Sequence, residues 1–199
     1  MCAKSKKRLD VRVLLSLMIV FIGLTASTAT AFARPKAKER VVFRITGYVS
    51  DDPFSLGLKD EPFTALVMFS PDDLNAEGNK IFPVKWVYRV GSYRVGTKFG
   101  AINLDNDIPC DDPDNPDCIF DGWQVVDEAN PVHGQIAGHR VTYMALNFQD
   151  HDGIALDDYL ITEPLDLTQW EVHSGTINLE GLSGDIFVEV VSFTGLDGR

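Results

Sequence analysis

From Val41 onward, apolar and polar side chains alternate with a period of two, the spacing at which successive residues of a strand face opposite sides. Val41, Phe43, Ile45 and Val49 share one side of the first run, and Arg44, Thr46 and Tyr48 the other. Residues 63–69 are apolar on both sides, as in a strand covered on each face. Val84, Trp86, Tyr88 and Val90 alternate with Lys85, Val87 and Arg89, and Gly91-Ser92 reads as a hairpin turn into Tyr93-Arg94-Val95. Gly96 then punctuates before a further short strand through Phe99, Ile102 and Leu104. Later strands are predicted over 123–126, 140–148, 176–180 and 186–193, with turns at Asp152-Gly153 and across 181–184. The only helical expectation is a single turn within 165–170. Short strands separated by Gly, Pro and Asp clusters predict one all-β domain over 41–199. An antiparallel β-sandwich is the expected architecture, with a β-barrel as the alternative.

The first 33 residues break the alternation. Lys4, Lys6, Lys7, Arg8 and Arg12 precede an apolar run at 13–26, and a small, mildly polar stretch ends in Ala31-Phe32-Ala33. These are the three parts of a signal peptide, with small side chains at the two positions that a signal peptidase must accommodate. Thr25, Ser27, Thr28 and Thr30 make the second half too polar for a good bilayer span, so cleavage rather than anchoring is expected. Residues 34–40 follow as a basic, Pro-containing tether. The expected location is extracellular or periplasmic, with no membrane association after cleavage.

Charge narrows the partners. The 199-residue chain holds 18 basic and 29 acidic side chains. The signal segment takes away five basic residues and one acid, leaving 13 against 28, a formal charge of −15. Such a surface repels phosphate backbones, which argues against nucleic acid. Two cysteines survive cleavage, Cys110 and Cys118. In an oxidising compartment this pair reads as a disulfide closing a short loop. The entropy of so small a loop is worth only about 2–3 kcal/mol, so the bridge shapes a loop more than it holds the fold.

Three stretches carry a family resemblance. Ile45-Thr46-Gly47-Tyr48-Val49-Ser50 is followed by Leu56-Gly57-Leu58-Lys59-Asp60-Glu61-Pro62-Phe63-Thr64 and by Phe69-Ser70-Pro71-Asp72. This run resembles the opening of many exported bacterial proteins of the PEP-CTERM type. Phe148-Gln149-Asp150, Gly153, Leu156, Asp158 and the segments 160–167 and 184–191 are similar to their closing strands. The resemblance implies a secreted β-rich domain of surface or matrix type, and brings no catalytic residues with it. The Pro-Glu-Pro signal, apolar helix and basic tail that name the family do not follow Thr194-Gly195-Leu196-Asp197-Gly198-Arg199, so release rather than anchoring is expected.

The densest candidate chemistry lies in 105–118, where Asp105, Asp107, Asp111, Asp112, Asp114 and Asp117 alternate with Asn and Pro between the two cysteines. Calcium takes six to eight oxygen ligands, and clustered carboxylates and amide carbonyls supply them. A solvated, Pro-stiffened loop explains the same residues without a metal, and the EF-hand order is missing. A second acidic cluster, Asp150-His151-Asp152-Gly153 with Asp157 and Asp158, fits either a cation or an ordinary turn. Catalytic signatures are lacking: the histidines are scattered, and Gly181-Leu182-Ser183-Gly184 has the wrong spacing for a nucleophile elbow. Among the aromatics, Trp86 is expected in the core. Trp123, beside Gly122 and the acidic loop, is placed near the surface as a candidate ligand contact.

These readings converge on a secreted, non-catalytic binding or structural module of the cell surface or matrix, calcium-stabilised, with a glycan or matrix component as partner. The alternative is a secreted polysaccharide hydrolase. The address has a direct check: N-terminal sequencing of the exported protein is expected to begin at Arg34, and an intact Met1 on a cytosolic product overturns it.

Overall fold

The computed structural model describes residues 39–109, 119–127, 132–151, 153, 155 and 162–196. Among these, the strands are β1 (Val41–Asp51), β2 (Pro62–Phe69), β3 (Lys80–Val90), β4 (Tyr93–Pro109), β5 (Ile119–Asp127), β6 (Gln135–Ile136), β7 (His139–Asp150), β8 (Val172–Leu179) and β9 (Asp185–Leu196). Among the described residues, helical structure is confined to single 3-10 turns at Pro71–Asp73 and Leu167–Gln169, the second inside the predicted helical turn.

Neighbouring strands pair antiparallel in chain order. β5 skips the two-residue β6 to pair with β7, and β1 returns to pair with β9. The sheet therefore closes on itself as an eight-stranded antiparallel barrel, with β6 as an added strand on β7. The all-β, antiparallel expectation holds, but the preferred sandwich gives way to the barrel. Period-two alternation is common to both; what separates them is whether the first and last strands become edges or meet. Here they meet from Val42↔Leu196 to Asp51↔Phe187, with register shifts at Thr46/Gly47 and Val49/Asp51 that add the coiling closure needs.

A glycine makes that seam fit. A Cβ on Gly47 would lie 1.9 Å from the Glu189 carbonyl oxygen, so only a residue without a side chain lets the two backbones approach. Gly96, expected to end a strand, instead pairs with Val87 inside the 17-residue β4.

Alternate residues fill the interior. Phe43, Trp123, Phe148 and Phe193 meet ring to ring at centroid distances between 4.9 and 6.5 Å, mostly edge-on. Trp86, Tyr88 and Phe63 continue the aromatic column, with Trp86–Tyr88 centroids 5.4 Å apart. Trp86 is core, as expected. Its indole lies over Gly100, where a Cβ would stand 3.0 Å from both Cδ1 and Nε1. One end of the column is covered by Leu165 and Trp170, ahead of β8, and the other by Leu58, Val132 and Ile136. An eight-stranded barrel is just wide enough to be filled by its own side chains, and buried side chains from all eight barrel strands point into this one.

Substituting Gly47 by Ala should cost about 1–3 kcal/mol or more, because backbone rather than a flexible side chain must move. Urea unfolding checks this; a midpoint equal to wild type removes the seam's need for glycine.

Candidate functional site

Strand alternation directs most polar groups outward, yet β5 carries an inward acid at each end. Asp121, Trp123, Val125 and Asp127 are consecutive inward positions, so the aromatic core is bracketed by two carboxylates.

At the first end, Asp121 lies opposite Asp150 of β7, one step beyond the Trp123↔Phe148 pair. Both are buried, at 0% and 2% exposure. Each carboxylate fastens a loop. Asp121 Oδ1 accepts the backbone N–H of Asp107 at 3.0 Å, and Asp150 Oδ2 accepts that of Ala155 at 2.9 Å. Asp107 is held at φ 53°, where β4 bulges between Asp105 and Ile108. A Cβ on Gly153, at φ +67°, would sit 2.6 Å from Ile119 Cδ1 and 3.5 Å from an Asp107 oxygen. Asp107 of the first acidic stretch and Gly153 of the second, far apart in sequence, are thus neighbours at one end of the barrel. Partial burial raises the Asp105 carboxyl above its ordinary value. Nearby, the imidazole of His151 and the carboxylate of Glu171 are 2.9 Å apart, and Glu171 also accepts the His151 backbone N–H at 2.7 Å.

Of the sequence candidates at this end, Asp105 and Asp107 are in place at the close of β4. Asp111, Asp112, Asp114 and Asp117 lie outside the described residues, as do Cys110 and Cys118 with their expected disulfide. Among the described residues, no three His, Cys, Asp or Glu side chains converge to hold a metal. Trp123 needs a correction. It is fully buried between Phe43, Phe148 and Phe193 and is no surface contact, because its position shares the inward phase of Asp121 and Val125.

At the opposite end, Asp127 Oδ1 accepts the Trp86 indole N–H at 2.8 Å across Gly100. Burial pushes the carboxyl from 3.8 up to about 6, although the hydrogen bonds from Trp86 and the Met144 backbone favour the ionised form. Its Oδ2 and the hydroxyl of Tyr88 are buried without a hydrogen-bond partner among the described residues. Burial, and then the Asp127 charge, raise the Tyr88 phenol well above its ordinary value.

Sequence reasoning missed Asp121, Asp127 and Tyr88 as a polar set. The available signal was phase, since both acids fall in step with Trp123 and Val125. No protein-family model, no curated protein and no solved structure matches the chain.

A raised carboxyl binds its proton more tightly in the folded chain than in the unfolded one. Its contribution is complete below pH 3.8 and lost as pH climbs through about 6. Relative to Asp127→Asn, which keeps an acceptor for Trp86, wild type is expected to lose roughly 2 kcal/mol of stability between pH 4 and 7, allowing for the carboxyl's partial exposure. Urea unfolding across that range measures it; parallel pH profiles would show that Asp127 carries no such linkage.

Proposed function

We propose that this chain is an exported, non-catalytic binding or structural barrel of the cell surface or extracellular matrix, calcium-stabilised at its acidic end. The observation that carries the reading is the filled interior. Two groups of aromatic side chains, with aliphatic residues from all eight barrel strands, pack the interior, which favours binding on the outer wall and the end loops. One pair of facing acids, Asp121 and Asp150, does sit beside aromatic rings. Both are inside the wall and hold backbone N–H groups, an arrangement suited to fastening loops. Glycosidases instead place two carboxyl groups on either side of a bound sugar.

The resemblance to exported PEP-CTERM-type proteins supports the address. The wall supports a water-exposed life. Asn103, Gln124 and Asn147 form a hydrogen-bonded amide ladder across the outside of β4, β5 and β7, at 3.1 and 2.6 Å. A membrane barrel has the reverse polarity, apolar outside and polar within. The calcium part rests on Asp105 and Asp107 being brought beside the second acidic loop.

Calcium at millimolar concentration is expected to raise Tm, and chelator to lower it, because a ligand that binds only the native state must stabilise it. Asp105→Asn with Asp107→Asn should abolish the shift. The barrel should release no reducing ends from a polysaccharide panel. An unchanged Tm removes the calcium, and released reducing ends replace the module by the hydrolase.

A further inference from the structure

On the outer wall, the stretch from Val42 to Thr46 of β1, β2, β3 and the first part of β4, from Arg94 to Phe99, is charged opposite to the chain as a whole, whereas Asp51 at the end of β1 and Asp105 and Asp107 at the far end of β4 are exposed acids. Outward positions are Val42, Arg44 and Thr46 on β1, Thr64, Leu66 and Met68 on β2, and Lys85, Val87 and Arg89 on β3. On the first part of β4, as far as Phe99, they are Arg94, Gly96 and the exposed Lys98-Phe99. None of these is acidic, in a chain with eleven more acids than bases. Arg89 faces Arg94 directly across the ladder. Like charges so placed repel and destabilise the pair unless an anion lies between them. Arg44, Lys85, Arg89, Arg94 and Lys98 are all exposed, and among the described residues none makes an ion pair or a side-chain hydrogen bond.

The wall is also concave here. A hollow of about 520 Å³ is framed by Arg44, Arg89 and Arg94 over Leu66 and Val87. A second, of about 320 Å³, shares Val87 and Arg94 and reaches Lys98 and His133. Gly96 keeps the passage between them open, since a Cβ there would come within 3.2 Å of a Val87 methyl. Beyond Lys85 and Lys98, Phe99 and Phe82 are 52% and 44% exposed, unusual for phenylalanines in so well-filled a barrel. From Arg89 to Phe82 the strip runs seven residues, roughly 23 Å along the strand.

We propose that this strip binds a linear acidic polysaccharide, a polyuronate, with cations on its carboxylates and the apolar floor and phenyl rings against its sugar faces. The proposal rests on the reading of the chain as an exported, non-catalytic module. Geometry selects a thin polymer. At physiological salt, charges are screened beyond about 8 Å, so a chain one ring wide lying along the strip feels mainly these cations. A bilayer or a nucleic-acid duplex is broad enough to meet the acidic end as well, and is repelled there. Carboxylates suit the paired guanidinium groups, which offer forked donors to planar anions.

The test is affinity electrophoresis of the exported chain in polygalacturonate, in its neutral methyl ester, and with phosphatidylserine–phosphatidylcholine vesicles. Chelator is present throughout, so that calcium bridging makes no contribution. Polygalacturonate alone should retard the protein, less so as salt rises. Arg89→Gln with Arg94→Gln should weaken retardation about tenfold or more, and Phe99→Ala by a smaller factor, both with unchanged Tm. Arg140→Gln, which removes a cation from β7, should leave it as in wild type. Equal retardation by the methyl ester, preference for vesicles, no retardation, or an equal loss in Arg140→Gln would each overturn the strip. Shortening of the polymer during the run would instead sink the non-catalytic reading while leaving the arginine result to judge the strip.

Discussion

The hydrogen-bonded seam between β1 and β9 turns a meander of antiparallel strands into a closed wall. It joins the first strand to the last, so it carries the largest loop-closure entropy of any pairing in the domain. Without it, two long edge strands would offer unpaired backbone groups, and the interior aromatic column would open on one side. The seam forms because Gly47 lets the β1 backbone touch the Glu189 carbonyl and because two register shifts bend β1 toward its partner. Outside it, the Tyr48 hydroxyl donates to Glu189 at 2.6 Å, which ties the two strands once more.

Closure dictates how the inside is used. Eight strands leave room for one layer of large side chains, and Trp86, Trp123 and the phenylalanines take it. Polar groups that remain inside stand at the two ends of the column. Asp121 and Asp150 fasten loops at one end, and Asp127 is tied to Trp86 at the other. Outside the barrel, cations gather on one strip of the wall, where Arg44, Arg89 and Arg94 frame a hollow, and Asp105 and Asp107 stand exposed at the close of β4.

Several elements were legible in the residue pattern alone. The strands that became β1, β3, β7 and β9 follow from alternation, β2 follows from its apolar run although only one of its faces is buried, and the Gly91-Ser92 turn joins β3 to β4 as read. β4 was cut short at Gly96 because glycine usually marks an interruption; a neighbour across the ladder paired with it and carried the strand through. β5 was read as beginning at Trp123, which hid the inward phase of Asp121 and sent Trp123 to the surface. Local pattern marks which residues share a side, but not whether that side faces a core or water when polar and apolar residues mix on it.

The residue pattern by itself determined that the domain is all-β and antiparallel, that Trp86 is core, and that acids crowd two stretches of the sequence. Each of these depends on neighbours within a few positions, and alternation or composition records them directly. Tertiary structure alone decided barrel over sandwich, the burial of Trp123, the placing of Gly153 beside Asp107 and the gathering of Arg44, Arg89 and Arg94. Each of those is set by which strands become neighbours and in what register, a property of backbone contacts between segments far apart in sequence, which leaves no trace in the order of residues along any one strand.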